Sequence, residues 1–200
     1  MTAILKVDTI QDTAGNNIIN ESSDTITIGA SGDTIALAGT TVTGITQGIT
    51  SASQFRLTTS FTGDAAPIAS NWEEVDTDGY GRLGTAVSQS SGIFTFPATG
   101  IWHIISVMTH IEGSAAIAYA LNKIETTTNN SSYGTATASY NSFEGNGYYM
   151  TNSSNFIFDV TDTSTHKVRL STNAADTSTT TMGDTDINRT YITFIRLGAT

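Results

Sequence analysis

From residue 53 onward, apolar and polar residues alternate in short runs, which is the pattern of β-strands that bury one face. Clusters of Gly, Asn, Asp and Thr separate the runs. The predicted strands are residues 55–61, 72–75, 92–96, 101–111, 115–124, 133–140, 148–160, 167–170 and 191–197. Strands of this length and spacing, about eight to ten in number, are typical of an all-β sandwich or jelly roll.

Two of these segments differ from simple alternation. Residues 101–111 include seven apolar residues, some of them adjacent, and predict the longest apolar strand. Residues 114–123 are rich in alanine and would also suit a short helix. We interpret them as a strand, because small residues suit a crowded position in the core.

The first fifty residues have a different pattern. Residues 24–32 and 33–39 form a weak repeat, in which an Asp is followed by apolar residues two and four positions later. Such short β-units cannot bury their apolar face alone and need neighbours, which other copies of the chain could supply. We therefore predict an N-terminal anchor or stem at residues 1–50 and a head domain at 53–200. Ordinary strands packed onto the head are the alternative.

Composition restricts the function. The chain of 200 residues has no Cys, which excludes disulfides and thiolate chemistry. Its formal charge of −10 argues against binding of nucleic acid, which requires a basic surface. The sequence also shows no secretory leader and no apolar run long enough for a membrane span.

Motifs for catalysis are missing from the sequence. It contains no Gly-x-Ser-x-Gly elbow, no His-Glu-x-x-His pair and no phosphate-binding loop. His103 and His110 are seven residues apart on one predicted strand, so a period of two places them on opposite faces. We therefore expect no enzymatic activity, no catalytic residue and no cofactor.

One loop offers a weak calcium candidate. Asp184, Asp186 and Asn188 alternate as oxygen ligands would, but the sixth-position Gly and closing Glu of an EF-hand are missing. Ordinary turn chemistry explains the same residues equally well. The sequence thus predicts no metal site beyond this candidate.

Aromatic residues surround the Gly- and Asn-rich loop at residues 141–146. They are Tyr133, Tyr140, Phe143, Tyr148 and Tyr149. Exposed tyrosines could stack on a sugar or contact a host surface. Packing in the core or between subunits is the alternative.

A resemblance to a known superfamily rests on three segments of the head. Residues 72–76 and the block 91–104, which contains Phe96-Pro97 and Gly100, resemble the central signature of the complement globular-head and tumour-necrosis-factor superfamily. Asn122 stands where that family often has an Asn, and residues 189–198 resemble its closing strand. The resemblance implies a ten-strand jelly roll that forms a homotrimer. Its interface would include Tyr191, Thr193, Ile195 and Leu197 near the threefold axis.

The N-terminal residues 4–16 resemble the start of short structural and fibre proteins of marine bacteriophages. This implies a virion anchor at Ile4, Leu5, Val7 and Ile10, with a major capsid or other virion protein as partner. The expected function is that of a trimeric capsid decoration protein or head fibre on the virion surface. A tail fibre or receptor-binding adhesin and a stand-alone carbohydrate-binding module are the alternatives, and a host-surface glycan is a further candidate partner. No membrane partner is expected.

Overall fold

The computed structural model describes residues 48–200, and this part of the chain contains twelve β-strands and no helix. The first six strands are β1 (Ala52–Leu57), β2 (Phe61–Thr62), β3 (Trp72–Glu74), β4 (Ser88–Ser90), β5 (Ile93–Thr95) and β6 (Gly100–Ile111). The other six are β7 (Ile117–Thr127), β8 (Gly134–Phe143), β9 (Tyr149–Val160), β10 (Lys167–Ser171), β11 (Thr180–Thr181) and β12 (Tyr191–Gly198). The predicted all-β class is therefore confirmed.

The strands form two antiparallel sheets. In the seven-stranded sheet, β9 pairs with one edge of β6 along its whole length, and β12 pairs with the opposite edge. β1 and β3 continue the sheet beyond β12, while the short strands β11 and β2 follow β12 along the same edge of β6. The five-stranded sheet has the order β4-β5-β10-β7-β8. β6 is thus an interior strand with neighbours on both edges.

The two sheets enclose one apolar core. Its largest members are aromatic: the ring centroid of Phe94 lies 5.5 Å from Phe55, 5.5 Å from Trp72 and 5.2 Å from Phe194. Aliphatic side chains fill the remaining space, among them Leu57, Ile104, Met108, Ile124, Val168, Leu170 and Ile192. Removal of this apolar surface from water, at about 25 cal/mol per Å², drives the sheets together.

Most predicted strands are found close to their predicted positions. The alanine-rich segment is confirmed as a strand, because residues 117–127 form β7. The strand predicted at residues 55–61 ends earlier, at Leu57, and only Phe61 and Thr62 continue as β2. Twelve strands replace the predicted ten, and β2 and β11 are only two residues long. Such short strands leave no periodic pattern in a sequence.

Two further sequence-based predictions concern the N-terminal part and membranes. The repeat and the anchor residues Ile4, Leu5, Val7 and Ile10 lie outside the described residues, so their roles stay predictions. Within residues 48–200, no helix is long and apolar enough to cross a membrane.

Candidate functional site

The surface with the clearest functional character is the outward face of the seven-stranded sheet. Along β6, inward residues such as Trp102 and Ile104 are fully buried in the core, and every second residue points away from it. The outward residues of β6 are Ile101, His103, Ile105, Val107, Thr109 and Ile111, all half-buried. Four of these six are aliphatic, so β6 is apolar on both faces. A strand whose outer face meets only water would carry polar residues there.

The neighbouring strands extend this outward face in register. His103 lies between Ile195 of β12 and Ile157 of β9. In the next row, Ile105 lies beside Thr193. Ile157 is 59% exposed although it is a large aliphatic residue. The outward residues of β6, β9 and β12 thus form one continuous surface, which we call the β6 face.

The four residues predicted for the threefold interface all belong to β12. Tyr191, Thr193 and Ile195 pair with outward residues of β6 and lie on the β6 face. Leu197 lies at a β-bulge between Arg196 and Gly198, and 46% of its surface is exposed. The structure therefore brings Tyr191, Thr193 and Ile195 together on one surface, while Leu197 is exposed at the bulge near the end of β12.

Charged side chains are scarce on this surface. Among the residues of β6, β9 and β12, only Asp159 and Arg196 carry a full charge at neutral pH. The guanidinium of Arg196 is occupied, because Nε donates to the carbonyl of Thr99 at 2.9 Å and Nη1 donates to Oγ1 of Thr50 at 3.2 Å. Depletion of charge at the centre is a property of protein–protein interfaces.

A groove borders the β6 face beside β1. One cavity of about 360 Å³ lies between the loops 75–80 and 186–188, and a second of about 190 Å³ continues it towards Thr193 and Ile195. Hydrogen bonds cross its floor: Nδ2 of Asn188 donates to Oε1 of Gln54 at 2.6 Å, and Nε2 of Gln54 donates to Oγ1 of Thr193 at 2.7 Å. The groove is open and continuous with the apolar surface.

Arg56 holds one wall of the groove in place. Its side chain is 1% exposed, with Nε 2.7 Å from Glu73 and Nη2 2.6 Å from Asp76. Nη1 donates to Oγ1 of Thr77 at 2.7 Å. Burial lowers the pKa of Arg56, but the hydrogen bonds and charges of Glu73 and Asp76 outweigh it and raise the pKa above its usual value. The guanidinium thus fixes the loop after β3 against β1 as a permanent cation.

The chain enters the head next to the end of β12. Ser51 accepts a backbone hydrogen bond from Arg196 at 2.9 Å, and Ala52 pairs with Ile195. A cavity of about 490 Å³ lies at this end, lined by residues 48–50 and 196–199. Ile49 in this cavity is half exposed. The first described residues therefore lie beside the closing strand, at one end of the β6 face.

The predicted separation of the two histidines is confirmed. His110 is 1% exposed, faces the interior and has Nε2 3.0 Å from Oγ1 of Thr172. Burial lowers the pKa of His110 to about 4. His103 lies on the opposite, outward face of the same strand. The two side chains cannot share a ligand.

In the calcium candidate, the carboxylate of Asp184 is already used by hydrogen bonds within a turn. Oδ1 of Asp184 accepts the backbone N–H groups of Asp186 and Ile187, and Oδ2 lies 3.1 Å from Nε of Arg189. These hydrogen bonds lower the pKa of Asp184. Asn188 is turned towards Gln54 instead. Within residues 48–200, no group of three acidic or histidine side chains could hold a metal ion.

The aromatic recognition candidates do not form one surface. Tyr140 is 65% exposed, but Ser139 and Phe143 of the same strand face inward, so Tyr140 points outward from the five-stranded sheet. Tyr149 points outward from the seven-stranded sheet. Phe143 is buried and therefore not available at the surface, as recognition would require. Tyr133 packs under Arg169, 4.2 Å from the ring centroid, and only Tyr148 in the loop is as open as Tyr140 and Tyr149.

Sequence reasoning missed the buried polar groups. Glu112 is 1% exposed and accepts hydrogen bonds from residues 113, 114, 178 and 179. Burial raises its pKa, but these hydrogen bonds outweigh burial and lower the pKa below its usual value. A single acidic residue after a strand gives no signal of such partners. Arg56 was likewise not recognised, because its acidic partners follow much later in the sequence.

Comparison with known proteins shows the fold alone. No protein-family model matches the chain, and no curated protein matches it in sequence. The solved structure of Eiger TNF from S. frugiperda is similar, with a TM-score of 0.55 and 12% identity over 77% of this chain and 96% of that one. Murine APRIL at pH 5.0 is also similar, with a TM-score of 0.54 and 13% identity over 74% and 98%. Neither is a phage protein or a complement head, so those parts of the resemblance stay predictions. The described head has a jelly-roll fold like that of TNF-family proteins.

Proposed function

We propose that the chain is a non-enzymatic structural protein whose head self-associates as a homotrimer through the β6 face. The observation that supports this proposal is that β6 is apolar on both faces. Its inner face packs in the core, and its outer face presents Ile101, Ile105 and Val107 in a row, with Ile195 and Ile157 on the two neighbouring strands beside His103. An apolar strip of this kind on the outer side of a sheet is typical of a protein interface.

Rotational symmetry suits such a surface. In a closed ring of three copies the contacts are heterologous: one part of the β6 face on each copy meets a different part on the next, so the face can be covered on all copies at once. The residues before β1 enter the head beside β12, at one end of this face. In a trimer built on the β6 face, three N-terminal segments would therefore start from the same end of the head. This arrangement supports residues 1–50 as an anchor shared by three copies.

The interface is tested by a pair of matched substitutions. Ile157→Asp and Tyr140→Asp both replace a large exposed residue on an edge strand, but Ile157 lies on the β6 face and Tyr140 on the opposite sheet. Light scattering should show that I157D lowers the solution mass while Y140D leaves it unchanged. Equal masses for both variants and the wild type would contradict an interface on the β6 face.

For the biological setting, we propose a virion surface, with the N-terminal anchor bound to a capsid protein and the head exposed. The acidic composition and the absence of catalytic motifs support a passive structural role. The split of the exposed tyrosines between two sheets leaves the carbohydrate-binding alternative without a common platform.

Mass spectrometry of purified particles tests this setting. Intact phage particles whose genome encodes the chain should contain its peptides, and antibody labelling should place them on the capsid. Labelling of the tail would favour the tail-fibre alternative. If the peptides were absent from purified particles, the virion assignment would be wrong, while the trimer would be unaffected.

A further inference from the structure

We propose that His103 makes this homotrimer acid-labile, so that protonation of its imidazole weakens the contacts between copies. The inference rests on the proposed trimer through the β6 face. Histidine is the side chain whose ordinary ionisation lies between about pH 5 and 8. A single histidine at the centre of a subunit interface therefore couples assembly to pH in that range.

The surroundings of His103 are aliphatic in every direction along the sheet. Ile195 and Ile157 lie beside it on the two paired strands, and Ile101 and Ile105 precede and follow it on the same face of β6. In one isolated copy, the imidazole is half-buried and keeps contact with water. Covering the β6 face with another copy would remove that water. Desolvation disfavours the charged form, so protonation and assembly oppose each other.

The ionisable groups near His103 offer little compensation. On β9, Asp159 lies diagonally from His103 beside Ile101 on the same face, so assembly would remove water from both side chains, and this desolvation offsets much of their attraction. On β12, Arg196 is bound to Thr99 and Thr50, and Tyr191 pairs with Val107 two rows away.

On the β1 side, Tyr80 reaches the second cavity beside Ile195, but its hydroxyl donates to Glu74. Glu74 in turn binds Arg82, and the carboxylates of Glu73 and Asp76 are bound by Arg56. Each of these acids therefore already has a cationic partner. Among residues 48–200, only Asp159 remains to partner an imidazolium.

The other two histidines are not expected to contribute to the pH dependence of assembly. His110 faces the interior, and burial lowers its pKa to about 4, below the range of interest. His166 packs its ring 5.6 Å from Phe158 and lies near Thr161 and Thr165, away from the β6 face. In addition, acidification brings the chain towards its isoelectric point of about 4.4, which reduces repulsion between copies. Without His103, lower pH should therefore favour association.

The test uses the full-length chain and His103→Gln at pH 8.0 and pH 5.5, at constant salt. Sedimentation over a range of protein concentrations should show that the wild-type trimer dissociates at a concentration at least about 10-fold higher at pH 5.5, which is a change of about 1.4 kcal/mol. H103Q should show no such shift. Exchange of subunits between differently labelled trimers gives the same comparison if dissociation is too weak to measure, and wild-type exchange should be faster at pH 5.5.

A second variant defines the role of the nearby carboxylate. Asp159→Asn removes the one unpaired acid that the described part of the chain places near the imidazole, and it should move the wild-type transition to higher pH. A wild-type trimer that is equally stable at both pH values, or an H103Q trimer that responds as the wild type does, would overturn the inference while the trimer stands. A monomer at pH 8.0 would overturn the proposed trimer and, with it, this inference.

Discussion

Ser106 and Asn122 join the two sheets through a pair of hydrogen bonds in the interior. Oγ of Ser106 donates to Oδ1 of Asn122 at 2.8 Å, and Nδ2 of Asn122 donates to the backbone carbonyl of Ser106 at 3.1 Å. Nδ2 also reaches the carbonyl of Asn152, and Oγ of Ser154 donates to the carbonyl of Asn122. Beyond the aromatic core, the sandwich is thus closed by a polar network that fixes β7 against β6 and β9.

Substitution of Asn122 should be costly. Asn122→Ala takes the Oδ1 acceptor from the hydroxyl of Ser106 and the Nδ2 donor from two backbone carbonyls, in a fully buried position. Because buried unsatisfied groups bear their full desolvation penalty, we expect a loss of about 2–4 kcal/mol in the free energy of unfolding. Urea unfolding at one protein concentration measures it. Asn146→Ala, in the exposed loop after β8, serves as the control and should lose less than about 0.5 kcal/mol.

Glu112 should make the free energy of unfolding depend on pH in the acid range. Its folded pKa lies below that of the unfolded chain, so its contribution is present above the unfolded value of about 4.5 and is lost as pH falls through the folded pKa. Glu112→Gln should therefore reduce stability at pH 7 by about 1–3 kcal/mol and flatten the acid side of the profile. Thermal unfolding between pH 7 and pH 3 tests both expectations. The exposed Glu144→Gln should leave the profile unchanged, and an unchanged profile in E112Q would contradict the role of Glu112.

His110 should make the stability of the fold depend on pH in a higher range than Glu112 does. Above about pH 6.5 the imidazole of His110 is neutral in both the folded and the unfolded chain. Below that pH it takes up a proton in the unfolded chain but not in the folded chain, where its pKa is about 4. Stability should therefore fall between pH 6.5 and 4, by about 2 kcal/mol on going from pH 7 to pH 5. His110→Gln can keep a hydrogen bond to Thr172 and should lack this dependence. Urea midpoints at the two pH values measure the difference, and an equal slope in H110Q would show that another group is responsible.

Arg56 should control the wall of the groove. Arg56→Lys keeps the positive charge but cannot bind Glu73, Asp76 and Thr77 at once, since a lysine lacks the planar fork of donors. We expect a loss of about 2 kcal/mol and faster hydrogen exchange in residues 76–80. Arg82→Lys is the matched control, because Arg82 is exposed and has a single bond to Glu74. Similar exchange in the two variants would contradict the proposed role of Arg56.

The sequence predicted the parts of the fold that depend on local pattern. Residues 101–111 were identified as a long apolar strand, and they lie in β6, which at 12 residues equals β9 in length. β7 was identified although its alanines also suit a helix. Alternation likewise placed His103 and His110 on opposite faces. These features follow from neighbouring residues alone.

Features that depend on distant partners were not predictable in this way. The donors Ser178 and Thr179 are 66 and 67 residues away from Glu112, so nothing near Glu112 indicates a buried carboxylate. Phe143 and Tyr140 belong to one strand and looked alike as recognition candidates, but the pleat buries one and exposes the other. Which residue reaches the surface is decided by the register of β8 against β7 and by the side of β8 that faces the other sheet.

The solution mass of the full-length chain at pH 8.0 tests the central claim most directly. Light scattering should give three times the chain mass of 21.0 kDa, and residues 48–200 alone should also be trimeric, because the β6 face lies within the head. A monomer in both cases would contradict self-association through the β6 face and leave its apolar residues for a different partner.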